Sequence, residues 1–129
     1  MDLFNYDEVI IPINLKNHWI FAIAEMRSKT VHIYDSYVTY LAGCHDAIMK
    51  NIISFLKDAS ELKSLEDDEW KADIQTVPQQ LNSTDCGFFA CRILDFVSRG
   101  LTPDFVQQDI PYFKRLMAYE ISSEKLIMW

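Results

Sequence analysis

From Cys86 to Arg99 the chain reads as one helix that is apolar on most faces, with Phe88, Phe89, Ala90, Ile93, Leu94, Phe96 and Val97 spread around it. A helix with so little polar surface has to sit at the centre of a fold, wrapped by other elements. Gly100 directly after Arg99 suits the C-terminal stop of such a helix. Whatever architecture the chain adopts, this helix is its axis.

The elements available to wrap it follow from local periodicity. Residues 8–14 (Glu-Val-Ile-Ile-Pro-Ile-Asn) are apolar and β-branched and predict a strand, with Pro12 placing it near a sheet edge or a strand end. A short loop through Lys16-Asn17 leads to a second, buried strand over Trp19–Met26. Arg27-Ser28-Lys29 is a polar turn, and Thr30–Asp35 alternates as a third strand. That short connection predicts an antiparallel hairpin. The period then changes: Ile48, Ile52, Phe55 and Leu56 recur at helical spacing within 44–60. The acidic stretch Glu61–Glu69 reads as a solvated connection, Ala72–Val77 as a fourth strand, and Pro78–Thr84 as a loop. Pro103–Gln107 suggests a short helix, and Pro111–Ile121 a last helix with Pro111 in its first turn. Strands first and helices after give the α+β class.

At 129 residues with 50% apolar composition, the chain fits one domain with a real core, spanning 1–129. A net charge of −7 argues against a nucleic-acid surface. No stretch has the apolar length of a membrane helix, and Met1-Asp2-Leu3-Phe4 does not open a signal peptide. Three cysteines form no paired framework and point to free thiols in a reducing compartment.

The chemistry-bearing residues lie at the ends of these elements. Cys86 begins the central helix behind Asn82-Ser83-Thr84-Asp85. A thiol attacks as thiolate, and a helix N-terminus favours negative charge there. Asp85 is a suitable N-cap, and Gly87 leaves room for a substrate backbone. A structural cysteine is the commoner fate of the residue type, but such cysteines are seldom introduced by a polar loop. His18 stands at the mouth of the second strand, where an imidazole can serve as general base and acid. Asp35 ends the neighbouring strand, so the hairpin can bring it beside His18 to orient the ring. Gln80 can donate from its side-chain amide to an oxyanion beside the Cys86 backbone N–H, and Gln79 is a rival for that role. The plainer readings are an idle His18, a turn-closing Asp35 and a polar loop. His32 and His45 have no comparable setting and receive no task. Cys44, His45, Cys86 and Cys91 match no close-set zinc spacing, and no phosphate loop is present, so no metal or cofactor is expected.

The order His18-Trp19, Tyr34-Asp35-Ser36, then Pro78-Gln79-Gln80 and Asp85-Cys86-Gly87 resembles the ubiquitin-like-protein-specific cysteine proteases, the SUMO (sentrin) protease family. The likeness runs from about Asp2 to Leu126. It includes Val9–Ile13 ahead of the histidine. Pro111-Tyr112-Phe113 followed by a basic residue looks like the SUMO-specific branch. The resemblance implies a papain-like fold, with a small mixed or antiparallel sheet packed against the central helix. It implies Cys86 as nucleophile, His18 as base and acid, Asp35 as orienter and Gln80 as oxyanion donor, without cofactor. The substrate it implies is a SUMO-like modifier or its conjugates, cleaved after the C-terminal Gly-Gly, in nucleus or cytoplasm. Trp19 matches a tryptophan that clamps the diglycine in a narrow tunnel, where any Cβ would clash. Asn14, Tyr37 and Gln79 fall where the family contacts the modifier. Family catalytic domains carry a further N-terminal portion with a second tunnel tryptophan. This chain is expected to lack it, which raises an alternative: a weak or inactive remnant acting as a binding module. Asn82-Ser83-Thr84 also varies from a loop that usually contains glycine.

Overall fold

The fold was analysed in a computed structural model that describes residues 2–40, 42–59 and 70–128. Four strands form one sheet in the order β1 (Glu8–Leu15), β2 (His18–Glu25), β3 (Thr30–Tyr34) and β4 (Lys71–Ile74). β1, β2 and β3 are antiparallel neighbours, and β4 joins β3 in parallel. The sheet is therefore mixed. Pro12 sits mid-strand opposite Phe21, and its missing N–H is tolerated because β1 is an edge. The β1–β2 turn passes through Lys16, which takes a left-handed φ of 57° without being glycine.

Alternation along β2 and β3 divides the core in two. Ile20, Ala22, Ala24, Val31 and Ile33 face α1 (His45–Ala59), which buries Ile52 and Leu56 against them. Phe21 and Ile23 face α2 (Cys86–Ser98), where they meet Phe89, Ile93 and Phe96. α3 (Ile110–Ser123) adds Ile110 and Phe113 to this second cluster. The helix beginning at Cys86 is thus the central one its composition demands. Its buried Arg92 is the exception to its apolar character. The guanidinium lies 4.2 Å from the Phe113 ring centroid and bonds Asp95 at 2.6 Å, so its charge is partnered. Gly100, at φ +70°, follows the C-cap and donates to the Val97 carbonyl at 2.9 Å.

Three expectations need correction. The fourth strand ends at Ile74, not Val77, because its partner β3 runs out: Gln75 N–H makes one more bond to the Ile33 carbonyl, and Val77 turns away into the α2 core. Pro103–Val106 is not helical. A 3-10 turn falls instead at Gln107–Asp109 and feeds directly into α3. Phe105 is drawn out of any local helix by three rings, Phe89, Phe96 and Phe113, at 5.4–5.9 Å. Asp85 holds the N-cap place of α2, but its carboxylate caps no helix amide. It is taken by side chains described below. The acidic stretch Glu61–Glu69 lies outside the described residues.

Candidate active site

The β2–β3 ladder places the start of β2 beside the chain that leaves β3, and this brings His18 to Asp35. Asp35 is fully buried and His18 is only 2% exposed. His18 Nε2 lies 2.7 Å from Asp35 Oδ1, which also accepts from the Tyr37 backbone N–H at 2.8 Å. An ionised carboxylate only accepts, so the His18 nitrogen facing it carries the proton. In the neutral ring that leaves Nδ1 bare and able to take a proton.

Asp35 has a second imidazole on its other oxygen: His45 Nε2 is 2.7 Å from Oδ2, and His45 is itself buried. His45, for which no task was expected, is thus bonded to the same carboxylate as His18. His32, given no task either, bonds Asp73 at 2.7 Å on the β3–β4 ladder, away from this cluster.

Cys86 is the first residue of α2 and is buried. Its Sγ lies 3.9 Å from the carbonyl oxygen of Asn17, the residue before His18. The thiol, at the end of the central helix, therefore faces the turn from which the His18 strand begins. Cys44, Cys86 and Cys91 are all free, and burial pushes the Cys91 thiol up from its ordinary value.

The two glutamines separate clearly. Gln80 is buried. Its backbone N–H donates to the Ser36 carbonyl at 2.8 Å, and its Oε1 accepts from the Ser36 hydroxyl at 2.7 Å. The Asn82 carbonyl, which can only accept, fixes which end of the amide is nitrogen. Nε2 gives one proton to the Asn82 carbonyl at 2.7 Å and has a second to offer. Gln79 spends its amide on backbone: Nε2 donates to the carbonyls of Asp35 (2.9 Å) and Val77 (3.2 Å), and Oε1 accepts from Val38 N–H (3.1 Å). Gln79 thereby ties the loop to the turn that carries Asp35.

Around His18 stands an aromatic wall. Tyr37 meets its ring edge-on at 6.1 Å and Tyr40 at 5.6 Å, while the two tyrosines stack on each other at 5.4 Å. Tyr40 carried no motif by which the sequence singles it out. Trp19, next to His18, keeps 47% of its surface exposed. Asn14 is its cross-strand partner. In the amide orientation that satisfies both ends, Asn14 accepts from Trp19 Nε1 at 3.3 Å and donates to the Lys16 carbonyl at 2.6 Å.

The loop before Cys86 is clamped through Asp85. Its carboxylate accepts from Asn82 Nδ2 (2.8 Å), Gln107 Nε2 (2.9 Å) and Lys114 Nζ (2.7 Å). The Asn82 and Lys114 bonds hold its pKa below the ordinary aspartate value, against the opposing effect of burial. Gln107 also accepts from Leu81 N–H at 2.8 Å, bridging both ends of the loop.

Known proteins resemble this chain in sequence and in fold. A sentrin-specific protease of Caenorhabditis elegans is 34% identical over 98% of this chain, and sentrin-specific protease 2 of Rattus norvegicus is 30% identical over 98%. The chain covers only 18% and 22% of their lengths. Among solved structures, the SUMO protease Ulp1 with its catalytic cysteine oxidised to a sulfenic acid superposes with a TM-score of 0.80 at 25% identity, over 96% of this chain and 56% of that one. The C-terminal Ulp1 protease domain in complex with Smt3, the yeast ortholog of SUMO, gives a TM-score of 0.79 with the same coverage. The fold is accordingly papain-like. Residues 1–126 match the C-terminal catalytic domain of the Ulp1 protease family, and the chain belongs to that family.

Proposed function

We propose that this chain is a thiol protease or isopeptidase that cleaves after the C-terminal Gly-Gly of a SUMO-like modifier, in maturation, deconjugation or both. The observation that carries the reading is the buried pair His18–Asp35 at 2.7 Å, with the thiol at the N-terminus of the central helix 3.9 Å from the carbonyl of Asn17, the residue before His18. The names of the relatives support the choice of modifier.

The geometry suits acyl transfer. His18 Nδ1 takes the Cys86 proton while Asp35 holds the ring through Nε2 and stabilises the imidazolium. The thiolate attacks the glycine carbonyl carbon, and the carbonyl π electrons move onto oxygen. Gln80 Nε2 and the Cys86 backbone N–H donate to that oxyanion. When the intermediate collapses, the C–N bond breaks and His18 gives its proton to the leaving amine. Water then attacks the thioester, giving a proton to His18, and the Cys86 thiolate leaves from a free C-terminal carboxylate. Trp19, with Asn14, Tyr37 and Gln79 nearby, supplies the surface for the modifier tail.

The test is a SUMO carrying a C-terminal electrophile, run beside ubiquitin and NEDD8 versions, with covalent adducts read by mass. The expected result is an adduct with SUMO alone, abolished by Cys86→Ser. No adduct with any of the three, in folded protein, overturns the enzyme reading. It would favour a modifier-binding module.

A further inference from the structure

We infer that His45 is a positioning residue of this site: by donating to Asp35 Oδ2 it holds the carboxylate in the orientation that presents Oδ1 to His18. The inference rests on the Cys86–His18–Asp35 reading above and adds to it a residue on a separate helix.

The geometry carries the argument. Asp35 is 0% exposed, His18 2% and His45 7%. His18 Nε2 and the Tyr37 N–H both bind Oδ1, and His45 Nε2 alone among these binds Oδ2. A carboxylate held at one oxygen still rocks about its terminal torsion, which has a broad, shallow profile. A donor on the second oxygen removes that freedom. It also satisfies an acceptor that burial denies to water, where an unmet charge is costly. His45 can do this rigidly, because it opens α1 and that helix is anchored to the sheet core by Ile52 and Leu56. It touches Asp35 on the oxygen turned away from His18, so it acts through Asp35 and not on the reacting atoms.

The consequence is a chain in which one buried carboxylate is gripped from both sides by imidazoles, both donating from Nε2. The carboxylate geometry then determines how the His18 ring is aimed at Cys86. A slight error there is expensive, since misplacement of about 1 Å can cost on the order of a hundredfold in rate.

The experiment measures Cys86 alkylation by limiting iodoacetamide, with Cys44 and Cys91 as internal references resolved by peptide mass mapping. His45→Phe fills the space without a donor, His45→Gln keeps a donor of similar reach, and His18→Gln is the control for the underlying site. His45→Phe is expected to slow Cys86 by about ten- to a hundredfold with the reference thiols unchanged, and His45→Gln to restore most of the wild-type rate. Proton NMR of the wild-type chain should show two low-field imidazole N–H resonances, one lost in His18→Gln and the other in His45→Phe. Equal slowing by His45→Phe and His45→Gln, a folded His45→Phe labelled at the wild-type rate, or a single low-field resonance in wild type overturns the positioning role. His18→Gln that leaves Cys86 no slower than wild type overturns the catalytic reading and this inference with it.

Discussion

Lys114 on α3 places its ammonium 2.7 Å from Asp85 Oδ1, joining the last helix to the residue that immediately precedes Cys86. The contact belongs to the clamp with Asn82 and Gln107 that sets the loop ahead of the nucleophile. Side chains far apart in sequence thus fix where the central helix begins.

The depressed Asp85 pKa makes this clamp pH-dependent. A carboxyl whose folded value lies below its unfolded one contributes stability that is fully present above the ordinary aspartate range, near pH 4, and is lost as pH falls through the folded value. Asp85→Asn turns an amide NH2 toward three donors and should destabilise by roughly 1–3 kcal/mol at neutral pH. Denaturation of both proteins from pH 7 down to pH 2 checks this: the gap should close at the acid end. Lys114 is 42% exposed, so Lys114→Met should cost less than about 1 kcal/mol.

Ser36 is expected to act on catalysis through Gln80. Its hydroxyl donates to Gln80 Oε1 in a buried site, and that bond holds the oxygen end of the amide while the Asn82 carbonyl holds the nitrogen end. Ser36→Ala leaves the oxygen unpartnered at a cost of roughly 1–3 kcal/mol and loosens the amide, which the Asn82 carbonyl alone then holds. Adduct formation with the SUMO electrophile should slow with it. Gln80→Ala removes the donor and should slow hydrolysis of a SUMO fusion by about 10²–10³. Comparing both variants in one turnover assay measures how much of the Gln80 effect depends on its orientation.

Phe105 should be among the costliest single truncations. It is 6% exposed and packs on Phe89, Phe96 and Phe113, joining the extended segment after α2 to the core of both helices. Phe105→Ala should cost about 3–5 kcal/mol, lowering Tm by roughly 10 °C or more in a scanning calorimeter.

The same residue shows where sequence reading stops. Strands β1 to β3, α1, α2 and α3 each carry a local period or an apolar run of their own, so local pattern located them to within about two residues. Phe105 and Val77 were misplaced because their conformation is set by partners distant in the chain. Proximity of His18 and Asp35 was legible, as a hairpin register implies it. His45 was not, because α1 reaches Asp35 through a turn with no periodicity to read. Asp85 was read as a helix cap because a local role was the one visible. Its ligands Gln107 and Lys114 come from beyond α2.

Gly87 separates folding from catalysis most sharply. It is the second residue of α2, takes no positive φ, and a Cβ built on it would meet no heavy atom beyond its chain neighbours and the adjoining helix backbone within 4 Å. Nothing among the described residues therefore requires glycine. Alanine should raise stability slightly, by at most about 1 kcal/mol, from helix propensity alone. If that open space is where a diglycine backbone passes the thiol, the added methyl obstructs it. Gly87→Ala should then keep or gain Tm and leave iodoacetamide labelling of Cys86 at the wild-type rate, while adduct formation with the SUMO electrophile falls. A variant that reacts with both reagents as wild type does would show that the substrate backbone does not pass this face of the helix.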